Sequence, residues 1–166
     1  LNDVGIAQAI ELAKQLKGQT LVAIYASDLD RTRVVSEMIA SHHRDVPFYP
    51  DARLRELDMG RISGMTKADA LVKHPEVHLQ TSHPDYDFSS VGGETRREVV
   101  SRQLALMREI CIRHAESSGS ILFVGHGTAF QNLLEALGFT EKLHAQGGFT
   151  ELVISDLPDE APNETP

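Results

Sequence analysis

The sequence is short of cysteine, of long apolar runs and of positive charge, and each shortage narrows its class. Cys111 is the one cysteine in 166 residues. It excludes a disulfide framework within the chain and fits a reducing compartment, so cytoplasmic residence is expected. No apolar run approaches the roughly 18 residues of a membrane span, and no secretory signal pattern opens the chain. No membrane partner is expected. Sixteen Lys and Arg stand against 24 Asp and Glu, giving a net charge of −8. Nucleic-acid affinity comes mainly from neutralising phosphates, so no nucleic-acid partner is expected either. A small anionic ligand stays open if a local positive site exists. The chain also lacks a P-loop, a dinucleotide fingerprint, a serine-centred elbow and a His-Glu-x-x-His pair.

What is present is ordinary globular material, 41% hydrophobic and 24% charged, long enough for one domain with a proper core. Asn2 and Asp3 offer a cap to a helix that Gly18 ends. Leu21 to Ala26 is a continuous apolar run of strand length. Ser27 and Asp28 supply N-cap chemistry for a second helix through Ile39. A short extended piece lies at 46–49, and 53–64 reads mostly as loop. Thr66 caps a short helix ending near His74, before Pro75. Residues 76–93 form a long irregular connection, the kind that is often functional. Thr95 and Glu98 have capping-box form, ahead of a long amphipathic helix. Ser120 to Val124 is the clearest buried strand, and a helix from about Thr128 stops at Gly138. Residues 149–155 read as a last strand. Residues 156–166, with three prolines and four acids, read as a disordered acidic tail. Alternating strands and helices predict an α/β fold, a three-layer sandwich around a mostly parallel sheet, in one domain over 1–155.

In an open α/β sheet, ligands bind beyond the carboxyl ends of the strands. Two strand-to-helix junctions carry suitable residues there: Ser27 to Arg31, and Gly125-His126-Gly127-Thr128. Each presents a helix N-terminus, whose free N–H groups attract anions. Arg31, about one turn into its helix, can reach back to the same edge, and a guanidinium suits phosphate. His126 can act as base, acid, nucleophile or charge stabiliser, and its flanking glycines let a ligand approach closely. Glu56, in a loop, could protonate a leaving oxygen. Taken alone, Arg31 and Glu56 read better as solvated charges, and Gly92-Gly93-Glu94-Thr95 as a helix entry. His74, His78 and His83 cluster in sequence, but prolines break any common face, so no metal is expected. Cys111, beside Met107, reads as a core thiol. His42 and His43 read as a polar helix end.

Together these segments resemble the histidine phosphatase superfamily, also called the phosphoglycerate mutase-like family. Residues 1–9 are similar to its Leu-Thr-x-x-Gly-x-x-Gln-Ala opening, and Tyr25 to Thr32 to its Ser-x-Leu-x-Arg segment. Leu54-Arg55-Glu56 with Gly60 and Gly64 resembles the segment bearing the acidic proton donor. Gly92-Gly93-Glu94-Thr95 looks like its Gly-Gly-Glu-Ser element, and Val124 to Gly127 like the segment of its second histidine. The resemblance implies catalytic roles for Glu56 and His126, and substrate or phosphate binding by Arg31, Gly93, Glu94 and Gly127. It implies a small phosphorylated substrate, no cofactor and no metal. It also implies an Arg-His-Gly motif after a first strand, its histidine the nucleophile, and nothing in these residues matches it. That strand and its loop amount to on the order of 20–30 residues.

Two expectations follow. Either the chain is most of an active phosphomonoester hydrolase whose nucleophile lies upstream, or it is a shortened, inactive homologue serving as a binding or scaffold module. Phosphoglycerate mutase-type phosphotransfer is a further alternative. The resemblance implies that mutases carry larger insertions than the 35 residues between Glu56 and Gly92, which favours the phosphatase. The oligomeric state, a homodimer included, stays open.

Overall fold

The computed structural model describes residues 1–77, 86–140, 148–154, 156–159 and 161. Among these, three parallel strands form a sheet in the order β2-β1-β3. β1 (Leu21–Ala26) is central, paired to β2 (Phe48–Pro50) on one side and β3 (Ser120–Val124) on the other. From Ala23 to Ala26, and along β3, side chains alternate between the two faces, with a register shift between Leu21 and Ala23. Ile24, Leu122 and Val124 pack under helices α1 (Asp3–Leu16) and α2 (Asp30–Ala40), through Leu12, Leu16 and Ile39. Ala23, Tyr25, Ile121 and Phe123 pack against Leu106 and Ile110 of α4 (Arg96–Arg113) and Phe130 of α5 (Gly127–Ala136). Burial on both faces explains why these strands read as continuous apolar runs. The result is the expected three-layer α/β arrangement.

The helix boundaries follow local chemistry. Asn2 Oδ1 accepts the Gly5 N–H, and Thr66 Oγ1 accepts that of Asp69 to start α3 (Lys67–Lys73). Thr95 and Glu98 complete a reciprocal capping box on α4. His43 is buried, and its Nε2 meets the Leu16 carbonyl at 3.1 Å, so it serves the carbonyl end of α1 as well as ending α2.

Four readings need correction. The N-cap of α2 is Leu29, with no side-chain cap. The Ser27 hydroxyl and Asp28 carboxylate are engaged elsewhere, with His126 and Arg55. Cys111 is exposed. Ile110 ends the buried stripe of α4, and Cys111 follows it on the exposed side of the helix. The segment 53–64 is more than loop. It holds two short 3-10 turns, and Leu57 and Ile62 pack with Val91, Val99 and Ala129 in a separate core. Residues 149–154 are not a strand, and Val153 is 90% exposed. An apolar stretch such as Leu152 to Ile154 is compatible with a strand, but a strand also needs a ladder partner for its backbone groups. Ser155, His78 and His83 lie outside the described residues. Within the acidic segment, Leu157 and Ala161 pack with Ile154 against α4 and α5.

Candidate active site

Parallel pairing of β1 with β3 brings both strand-to-helix junctions to one edge of the sheet. Ala26 and Val124 are partners in register, so Ser27 and Gly125 leave the sheet side by side. His126 ends the second junction at the N-cap of α5, while Arg31 lies in the first turn of α2. Arg31 Nε donates to His126 Nδ1 at 3.2 Å. A ring nitrogen that accepts carries no proton, so the neutral imidazole is protonated on Nε2. Nε2–H then donates to Ser27 Oγ at 2.9 Å.

His126 is only 7% exposed. Burial, then the positive charge of Arg31, lowers its pKa to about 4, against a weaker opposing pull from Glu56. Removing a cationic imidazole from water costs more than removing a neutral one, and a neighbouring guanidinium adds repulsion. The site thus holds a neutral histidine beside a fixed positive charge.

Glu56 reaches the same place from the loop after β2. Its Oε1 accepts the Ala129 N–H at 2.9 Å and the Leu57 N–H at 3.0 Å, and Oε2 accepts that of Thr128 at 3.4 Å. The first-turn N–H groups of α5 therefore hold a protein carboxyl group. The sequence pointed to this helix end as an anion site, and here the Glu56 side chain occupies it.

The remaining expected residues occupy distinct places. Gly127 is the first residue of α5, with open space where a Cβ would stand. Gly93 lies against the Glu56 loop, and a Cβ there would come within 2.5 Å of the Asp58 carbonyl. Glu94 has both carboxylate oxygens engaged, Oε1 with Arg102 and Oε2 with Arg102 and the Asp58 N–H. The structure thus joins Arg31, His126 and Glu56, and places Gly93 and Glu94 behind them.

Two participants escaped the sequence reading. Ser27 is a small polar residue at a strand end, and nothing local shows that His126 will bond it. Arg102 sits mid-helix among other charges, and its partners lie 8 to 49 positions away. His74 pairs with Glu76, and His114 meets the Tyr25 hydroxyl. Among the described residues, no three His, Cys, Asp or Glu side chains stand together as an ion site, and no helix is long and apolar enough to cross a membrane.

The chain is similar to known proteins over most of its length. The family model of the histidine phosphatase superfamily (branch 1) matches residues 1–153. A 2,3-bisphosphoglycerate-dependent phosphoglycerate mutase of Rhodopseudomonas palustris (strain BisB18) is 30% identical over 144 residues, covering 82% of this chain and 68% of the mutase. A metal-independent phosphoserine phosphatase of Arabidopsis thaliana is 30% identical over 132 residues, covering 76% of this chain and 53% of the plant protein. Among solved structures, Bacillus stearothermophilus YhfR superposes with a TM-score of 0.73 at 29% identity, over 83% of this chain and 67% of that one. A mycobacterial glucosyl-3-phosphoglycerate phosphatase in complex with VO3 gives 0.71 at 26% identity, over 82% and 68%. By this match over nearly its whole length, and by the residues it gathers at one sheet edge, the chain belongs to the histidine phosphatase superfamily.

Proposed function

We propose that this protein hydrolyses small phosphomonoesters through a phosphohistidine intermediate, and that the nucleophilic histidine comes from outside these 166 residues. The observation that carries the reading is the convergence of Arg31, His126 and Glu56. His126 itself is poorly placed to attack phosphorus, because the one lone pair of its neutral ring accepts from Arg31. The similar phosphatase structures in complex with VO3 and with inorganic phosphate support a phosphoryl site on this fold.

In this mechanism a phosphoryl dianion enters between Arg31 and His126. Arg31 holds equatorial oxygens by charge and by its planar fork. The dianion opposes the two effects that keep His126 neutral, so binding is coupled to proton uptake by the ring, which then donates to a phosphoryl oxygen. The incoming histidine forms the N–P bond as the P–O bond to the alcohol breaks. Glu56, which must carry a proton when the substrate is bound, gives it to the departing alkoxide. It then takes one from the water that attacks the phosphohistidine, which returns free histidine and inorganic phosphate.

Residues 1–155 are proposed as the catalytic domain, 156–166 as an acidic tail, and the cytoplasm as the compartment. Radiolabelled substrate tests the chemistry. A protein that includes the nucleophile should give an acid-labile phosphoenzyme, and Glu56→Gln should slow turnover by about 10²–10⁴-fold. The 166-residue chain should give neither label nor appreciable hydrolysis of p-nitrophenyl phosphate. Robust hydrolysis by that chain, lost in His126→Ala, would overturn the need for an external nucleophile.

The mutase relative favours a second reading, phosphoryl transfer between positions of one substrate. Addition of 3-phosphoglycerate with 2,3-bisphosphoglycerate separates the two. A mutase forms 2-phosphoglycerate faster than it releases inorganic phosphate, and a phosphatase does the reverse.

A further inference from the structure

Glu56 lies on a loop, and a loop does not by itself hold a carboxyl to the tolerance that proton transfer requires. The restraint comes from α4. Arg102 is a half-buried guanidinium whose Nε and Nη2 grip the Glu94 carboxylate at 2.8 and 3.0 Å. Its outer face grips the Glu56 loop itself. Nη1 donates to the Arg53 carbonyl at 2.6 Å and Nη2 to the Glu56 carbonyl at 3.2 Å. Glu94 closes the other end. Its Oε2 accepts the Asp58 N–H at 3.0 Å, and its own N–H donates to the Asp58 carbonyl at 2.8 Å. Residues 53, 56 and 58 are thus fixed on either side of the Glu56 side chain. Gly93 is part of the same device, because only a residue without a Cβ allows the two backbones this approach.

We propose that Arg102 and Glu94 form a clamp whose task is to position Glu56, with Arg102 a positioning residue and Glu94 its anchor rather than a substrate ligand. The clamp stands on the contacts above. Its effect on turnover rests on the reading of Glu56 as proton donor. A fork of five donors in one plane can bind a carboxylate and two carbonyls at once, which a lysine cannot.

Amide hydrogen exchange on the intact chain tests the clamp without any turnover. The Leu57, Thr128 and Ala129 amides donate to Glu56 and report whether it is held. In Arg102→Lys and Glu94→Gln these three amides should exchange at least about tenfold faster, the factor that matches loss of one charge-assisted hydrogen bond. Amides of β1 should stay slow, which separates loosening from unfolding. Should Arg102→Lys expose β1 as well, Glu94→Gln decides alone, since it keeps the volume and one acceptor oxygen. Unchanged exchange at the three amides in Glu94→Gln overturns the clamp.

In the protein with its nucleophile present, Arg102→Lys should lower kcat by about 10- to 100-fold, the usual effect of a misplaced catalytic group. KM should stay nearly constant. If Glu56→Gln leaves turnover intact while the three amides still loosen in the clamp variants, the proton-donor reading fails and the clamp stands.

Discussion

His126 ties charge, burial and stability together. Its pKa falls from 6.5 to about 4 in the folded chain, so between those values the unfolded chain binds the proton more readily. Stability is therefore present above the unfolded value, falls as pH drops from 6.5 toward 4, and levels off below. At one unit per 1.36 kcal/mol, the loss is up to about 3 kcal/mol. Urea denaturation of the wild type and His126→Gln across this window measures it as a difference, in which most other carboxylate titrations cancel. The wild type should lose stability relative to the variant as pH falls, and a constant difference would refute this. Gln103 offers a second test. Its side chain is fully buried on α4, with neither amide atom hydrogen-bonded among the described residues. Burying an amide without partners costs about 1–3 kcal/mol. Gln103→Met should raise the midpoint of thermal unfolding, and a lower midpoint would show that the amide has a partner.

The elements explain how distant residues come to act on one site. The loop carrying Glu56 is held on three sides. Asp51 and Arg53 bond each other, and Arg53 also pairs with Glu109 of α4. Arg55 forms a two-pronged pair with Asp28 at the first junction, and hydrogen bonding to Arg55 is the main cause that holds the Asp28 carboxyl below its ordinary pKa. Gly60 completes the turn at φ +59°, where a Cβ would come within 2.3 Å of the Val91 carbonyl. Gly60→Ala should combine strain with a backbone clash and cost about 2 kcal/mol or more in denaturation. Thr95→Ala, which removes the capping box of α4, should cost about 1 kcal/mol. Capping boxes and glycine stops are local signals, so helix ends could be read from the sequence. The Glu56 segment was legible mostly as loop, because its order comes from Arg102, Glu94 and Glu109. His126 and Arg31 were legible as candidates because they follow strand ends, where α/β sheets place ligands, whereas Glu56 joined them only through the resemblance of its segment to the family's proton-donor segment. The last strand was misread because an apolar stretch of strand length does not name a pairing partner.

On the whole-molecule scale, one apolar sheet with helices on both faces brings its two strand ends together. The net charge of −8 gives a negative average field, within which Arg31 stands beside a neutral His126. β3 is apolar, paired on one side only among the described residues, and half-exposed along its length. Its edge and the site edge meet at Val124 and Gly125, so whatever strand joins β3 would end beside Arg31 and His126. The proposed hydrolysis requires this edge to receive a phosphoryl group between those two residues. Sulfate mimics the dianion without titrating, and the His126 ring reports its arrival by NMR at about pH 6, where the free ring is neutral. The His126 signals should shift saturably toward the protonated imidazole as sulfate is added, and the shift should be abolished in Arg31→Gln. A His126 signal that ignores sulfate, or that responds equally without Arg31, would contradict that requirement.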